Sequence, residues 1–214
     1  MPITEIALLG LLPGASIDDV HLRSKLARAK SLMQNYTGRS FYYFQQLEDP
    51  SQLYIFGEWD SLEQHMEDFI PGPENQAILA LLKDDLGVEW LQHIDTPHTN
   101  LSLPKTDAQK TQALEGQLMW NITRHWVKDG CRESFTQALS EGMPELGVLA
   151  TEGISAGGWR VDKENGKDEF VMLSPWKSME QCSEVVDPET AEWNGEMTKY
   201  TDRVEVRHMR LLDI

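Results

Sequence analysis

Along the first half of the chain the spacing of apolar residues switches back and forth between two periods. Residues 3–12 (ITEIALLGLL) form an apolar run ended by Pro13-Gly14, which predicts a buried strand. Behind Ser16, read as a helix cap, Leu22, Leu26, Ala29, Met33 and Tyr36 recur at four- and three-residue steps. That is one apolar stripe of an α-helix, and Gly38 is placed to end it. Residues 40–47 and 53–59, rich in aromatic and β-branched side chains, flank the turn residues Glu48-Asp49-Pro50-Ser51 and predict a hairpin. A helical segment starts at Ser61, breaks at Pro71-Gly72-Pro73 and resumes through Ile78, Leu82 and Leu86. A last strand spans 89–94.

The second half repeats this order. Residues 117–127 predict a strand, and Asp129 the cap of a helix with Phe135, Ala138, Leu139 and Met143 on one face. Strands at 154–162 and 169–173 flank Lys163-Glu164-Asn165-Gly166-Lys167, whose Asn-Gly is a hairpin signal. Helix resumes at Ser178 and restarts with Asp187 as cap and Pro188 in the first turn, before a strand at 204–212. Between the halves, 96–113 is polar, holds Pro97 and Pro104, shows no periodicity and reads as a linker.

The repetition extends to letters. Trp59-Asp60-Ser61-Leu62-Glu63-Gln64-His65 recurs 117 residues on as Trp176-Lys177-Ser178-Met179-Glu180-Gln181-Cys182. Pro73-Glu74 recurs as Pro188-Glu189, and Val88-Glu89 as Val204-Glu205, at nearly the same offset. A solenoid repeats every 20–50 residues or so. This period therefore means a duplicated domain, with halves at 1–95 and 114–214. Each half reads β-α-β-β-α-β, the ferredoxin-like unit, whose antiparallel sheet carries helices on one face and needs a cover on the other. The fold class expected is α+β: two ferredoxin-like halves packed sheet to sheet as a pseudo-symmetric α+β barrel.

Ser61 with Gln64, and Ser178 with Gln181, have the spacing of a capping box, so helix initiation accounts for them. The tryptophan lies two residues before the cap, at a strand-to-helix corner, where it either plugs the core or walls a pocket. A strand ending in Glu-Trp, then Asp-Ser-Leu-Glu-Gln-His and a broken helix, resembles the antibiotic biosynthesis monooxygenase family of dimeric α+β barrels. Residues 55–65 (IFGEWDSLEQH) carry the likeness, and 173–182 (LSPWKSMEQC) carry a degraded version of it. In that family two subunits pair their sheets, a task the tandem copies would perform within one chain. Its members oxidise polycyclic aromatic phenols without a cofactor or bind and cleave haem. Related barrels isomerise, cyclise or decarboxylate small molecules, and some have no known activity.

For the cofactor-free oxygenases the resemblance implies a pocket between sheet and helices, with the corner Trp and a polar residue six positions later. Here these are Trp59 with His65, and Trp176 with Cys182. The family's tyrosine is replaced by His65, which can still move a proton near neutral pH. Its Asn four residues before the Trp is replaced by Ile55 and Met172. The haem-cleaving branch uses an Asn on the first strand, a Trp in the helix and a later His. This chain has Ala7 or Leu8 and then Asp68 at the first two places, and Asn121 alone could fill one role.

Net charge is −16, from 19 Lys+Arg against 35 Asp+Glu, a field that repels nucleic acid and anionic lipid. The basic cluster at 23–30 fits a solvated helix face. No uncharged apolar run approaches the roughly 20 residues of a membrane span, and the N-terminus shows no basic region of a secretory leader. Cys131 and Cys182 read as reduced thiols, which points to a cytoplasmic protein. The six histidines never pair at HxH or HExxH spacing, and no Walker loop occurs. Gly153-Ile154-Ser155-Ala156-Gly157 has nucleophile-elbow letters but precedes a hairpin instead of bridging strand to helix. Trp59, Trp120, Trp126, Trp159, Trp176 and Trp193 could line an apolar pocket or fill the core.

The sequence thus predicts a small-molecule enzyme on a hydrophobic, aromatic or polyketide-like substrate, most simply a cofactor-independent monooxygenase. The alternatives are a cyclase, isomerase or decarboxylase on the same barrel, and a non-catalytic binding or scaffold protein with degenerate pockets. His65 is the catalytic candidate, and Trp59, Tyr43 and Trp176 are the substrate-binding candidates. No cofactor, metal, nucleic-acid or membrane partner is expected, and the chain is expected to be a monomer or homodimer.

Overall fold

The computed structural model describes residues 1–149, 156–186 and 197–214. It divides into two compact units, Met1–His98 with Leu211–Ile214, and Thr99–Arg210.

The first unit runs β1 (Ile3–Leu11), α1 (Val20–Thr37), β2 (Tyr42–Gln46), β3 (Gln52–Trp59), a π-helical turn (Gln64–Phe69), α2 (Pro73–Leu82) and β4 (Leu86–Ile94). Its sheet has the order β4-β1-β3-β2 with antiparallel pairs, the ferredoxin-like arrangement. An interior position for β1 explains why its sequence is a nearly unbroken apolar run. Successive side chains alternate faces, so Ile3, Ala7 and Leu9 share a core with Tyr43, Ile55 and Trp59 from the sheet and Leu22, Leu26, Ala29 and Met33 from α1.

Local chemistry sets the element ends. Asp19, not Ser16, caps α1: its carboxylate accepts from the His21 amide at 2.8 Å. The Ser16 hydroxyl instead accepts from Asp18 in the preceding turn. Gly38 closes α1 in the left-handed region at φ 70°, as its position predicted. The helix broken at Pro71-Gly72-Pro73 restarts with Gly72 as cap and Pro73 inside the first turn. It stops at Leu82, so Leu86 opens β4 instead of extending the helix.

The second unit contains α3 (Asp107–Leu114), β5 (Met119–Val127), α4 (Arg132–Leu149), β6 (Ala156–Trp159), β7 (Asp168–Trp176), α5 (Met179–Val186) and the main part of β8 (Thr201–Leu212). Its order β8-β5-β7-β6 repeats that of the first unit, strand for strand. Asn165 and Gly166 at its β6–β7 hairpin both have positive φ, 53° and 73°, the geometry that makes Asn-Gly a turn signal.

Two readings shift here. The stretch taken as unpatterned linker holds α3, nucleated by a reciprocal capping box between Thr106 and Gln109. The helix expected to start at Asp129 starts at Arg132; the Asp129 carboxylate instead receives Lys167 Nζ at 2.9 Å. The Asp187–Pro188 restart, Trp193, the first residues of the strand read at 154–162 and the Gly153–Ser155 portion of the GxSxG letters lie outside the described residues. Among the described residues no helix is long and apolar enough to cross a membrane.

Candidate active site

Between the sheet and helices of the first unit lies a cavity of about 340 Å³. Ala7, Leu9, Leu26, Ala29, Met33, Ile55 and Ile78 make its walls apolar. Met66, Leu79 and Val88 also line it and are 41%, 42% and 61% exposed, which places the mouth among them. Its polar lining includes Glu5, Tyr43 and His65, all at most 5% exposed. A ligand in this space is held by apolar surface and met by a few polar groups, the usual make-up of a small-molecule site.

His65 reaches the cavity because the chain after β3 does not form a regular α-helix. The Gln64 amide donates to Ser61 Oγ at 3.1 Å and the Gln64 side chain accepts from the Asp60 amide at 2.8 Å, so the segment begins with a capping exchange. The Ile70 amide then donates to the His65 carbonyl at 2.9 Å, five residues back, and the turn widens into a π-helix. Such wide turns recur at functional sites. This one buries both His65 and Phe69.

Four side chains form a connected set. The Trp59 indole stacks on the His65 imidazole, with centroids 4.0 Å apart and planes 9° from parallel. Its Nε1 donates to Glu5 Oε2 at 2.7 Å. The same oxygen lies 3.7 Å from His65 Nε2, and His65 Nδ1 shares a 2.7 Å hydrogen bond with His93 Nε2. Burial drives the Glu5 pKa up from 4.5 to about 7, against the opposing pull of the Trp59 hydrogen bond and the His93 charge. Burial, with the Glu5 charge, also drives the Tyr43 phenol upward, so Tyr43 stays an O–H donor.

Of the residues the sequence singled out, the structure brings Tyr43 and His65 to one cavity. Trp59 is fully enclosed and is not part of the cavity wall; it is the plate behind His65. Trp176 belongs to the second unit, also fully enclosed, with Nε1 donating to Asn121 Oδ1 at 3.1 Å. The tryptophans read as one possible pocket divide likewise: Trp59 is in the first unit, while Trp120, Trp126, Trp159 and Trp176 are in the second.

Glu5 and His93 went unnoticed in the sequence. Glu5 had a signal, as the one charged residue in the apolar run 3–12. His93 had none, because it meets His65 across 28 residues through the pairing of β1 with β4, which sets Glu5 opposite His93.

The second unit repeats the arrangement with different chemistry. Asn121, Trp176, Cys182 and His208 occupy the places of Glu5, Trp59, His65 and His93, and Cys182 Sγ lies 3.3 Å from His208 Nε2. The carboxylate has become an amide and the imidazole a thiol. This unit has a cavity of about 490 Å³ along 99–105 and Trp120, and among the described residues no buried titratable side chain lines it. Among the described residues no group of three or more His, Cys, Asp or Glu is placed to hold a metal ion.

No family model and no curated protein matches the chain. Solved structures do. An anthrone oxidase-like protein superposes with a TM-score of 0.66 at 11% identity, over 99% of this chain and 92% of its own. A candidate monooxygenase from Fusobacterium nucleatum gives 0.62 at 10% identity, over 99% and 93%. A chlorite dismutase variant from Candidatus Nitrospira defluvii gives 0.55 at 12%, over 99% and 92%. The chain shares the α+β fold of these structures. At these identities the likeness carries the fold, and the chemistry rests on the site.

Proposed function

We propose that this protein is a cofactor-independent monooxygenase-like enzyme that oxidises a hydrophobic, aromatic substrate in the first unit's cavity. One observation carries the reading: an apolar cavity with a buried, contiguous Glu5–His65–His93 set in and behind its wall. A filled interior would have favoured a scaffold; an open one with titratable groups favours catalysis. The likeness to an anthrone oxidase-like structure supports a substrate with an acidic C–H or O–H flanked by aromatic rings.

For such a substrate the protein's task is to take one proton and hold the resulting anion away from water. The anion then reacts with dioxygen. A ring-flanked CH₂ becomes C=O, one oxygen atom stays in the product and the other leaves as water. An isomerase or cyclase reading needs the same first step without oxygen uptake.

The test is oxidation of an anthrone or naphthol with oxygen consumption recorded. One O₂ consumed per substrate is expected, and His65→Ala, which takes one member out of the proton-handling set, should lower the rate by roughly 10²–10⁴-fold. Product without oxygen uptake would move the protein to the isomerase or cyclase class. A fully active His65→Ala would remove this cavity from the reaction.

A further inference from the structure

Both ring nitrogens of His65 are directed at protein groups: Nδ1 at His93 and Nε2 toward Glu5 Oε2. Its face is covered by Trp59. The residue that the repeated motif marks as the acid–base centre therefore offers its proton-carrying atoms to its neighbours. Glu5 is arranged the other way. Its Oε2 receives Trp59 Nε1 and lies near His65, whereas Oε1 accepts no hydrogen bond among the described residues and is not a walled-in orphan. Glu5 lines the cavity, and of its two oxygens Oε1 is the one left for a substrate there.

We propose that Glu5, through Oε1, takes the proton from the substrate, and that His65 and His93 are positioning residues that fix its other oxygen and its charge. This rests on the cavity being the substrate site. The step balances simply: the substrate C–H or O–H bond breaks, its electron pair stays on the substrate, and an O–H bond forms on Glu5. The negative charge passes from Glu5 to the substrate, so the buried net charge does not change. Tyr43, held protonated beside Glu5, supplies a hydroxyl donor for the new anion.

The groups facing Glu5 come from every element around it. Trp59 comes from β3, His65 from the π-turn, His93 from β4 and Tyr43 from β2. The α1 residues lining the same cavity, Leu26, Ala29 and Met33, are apolar. With burial raising the Glu5 pKa to about 7, the carboxylate is close to the operating pH, where a general base is most effective. The rate should rise with pH through that region, since only the ionised form accepts a proton.

The experiment uses the full chain and anthrone in deuterated buffer. Anaerobic exchange of its methylene protons is followed by NMR, and aerobic oxidation by oxygen uptake. Glu5→Gln keeps an acceptor for Trp59 and is expected to lose both activities by roughly 10²–10⁴-fold and to abolish the rise near neutral pH. Glu5→Asp should recover part of the rate. The Glu5→Gln/His65→Ala double variant should be no worse than Glu5→Gln alone, as for groups acting as one unit. His93→Gln removes a charge that lowers the Glu5 pKa, so the rise should move to higher pH. Thermal unfolding of each variant serves as the folding control.

A folded Glu5→Gln with wild-type exchange and oxidation would overturn the assignment while leaving the monooxygenase reading intact. Glu5-dependent exchange without oxygen uptake would uphold the assignment and overturn the monooxygenase. A wild type that shows neither would overturn both.

Discussion

Enclosing the Glu5 carboxyl makes its ionisation costly to the fold. Between pH 4.5 and about 7 the folded state keeps a proton that the unfolded chain has released, so stability falls as pH rises through that window. The shift corresponds to a penalty on the order of 3 kcal/mol once Glu5 is fully ionised. Glu5→Gln, which cannot ionise, should therefore be more stable than wild type at about pH 8 and gain little at about pH 4. Chemical denaturation at both pH values reads this directly, and an equal difference at both would show that Glu5 is not buried as described. His125 in the second unit has the opposite sign. Both its ring nitrogens lack partners among the described residues, and burial lowers its pKa from 6.5 to about 4. The unfolded chain gains a proton there that the folded state refuses, so stability is lost as pH falls from 6.5 toward 4. Leu9 holds the matching position in the first unit. His125→Leu should raise the melting temperature, more at about pH 5 than at about pH 8; a drop at both would mean the imidazole has a partner.

At the scale of elements, the site depends on how β3 hands over to the π-turn. Trp59 ends β3 and is held from one side by Phe41, whose ring packs edge-on at 5.6 Å. Phe41 in turn lies across Gly57, where an added Cβ would fall 2.0 Å from its ring. Gly57→Ala should cost about 1–3 kcal/mol through overpacking. It should also depress turnover, because displacing Phe41 disturbs the plate behind His65. Thermal unfolding and oxygen uptake measured together test both halves of that chain. Unchanged stability would show that Phe41 has room to move.

At the scale of the whole molecule, the two units share one strand order, and at the matched positions the first has the carboxylate of Glu5 where the second has the amide of Asn121. The second copy keeps the tryptophan-to-strand hydrogen bond and the contact across to β8, with Asn121 and Cys182 in place of Glu5 and His65. Cys182→Ala should therefore leave turnover unchanged and cost on the order of 1 kcal/mol in packing. Loss of activity in Cys182→Ala, with the fold intact, would place the chemistry in the second unit.

The β-α-β-β-α-β order of each unit and most turns were legible because they depend on local spacing: apolar stripes, Asn165-Gly166, Gly38, and Ser with Gln at a helix start. His65 could be singled out from the repeated motif, and Tyr43 only as one aromatic position in a strand rich in them. The tertiary structure decided the rest. Whether Trp59 walls a pocket or backs one depends on the pitch of the π-turn that stacks His65 against it. The pairing of Glu5 with His93 follows from the register of β1 against β4. Proton affinity at Glu5 is set by how much water the surrounding walls exclude, and that exclusion exists only once strands and helices distant in sequence have closed around it.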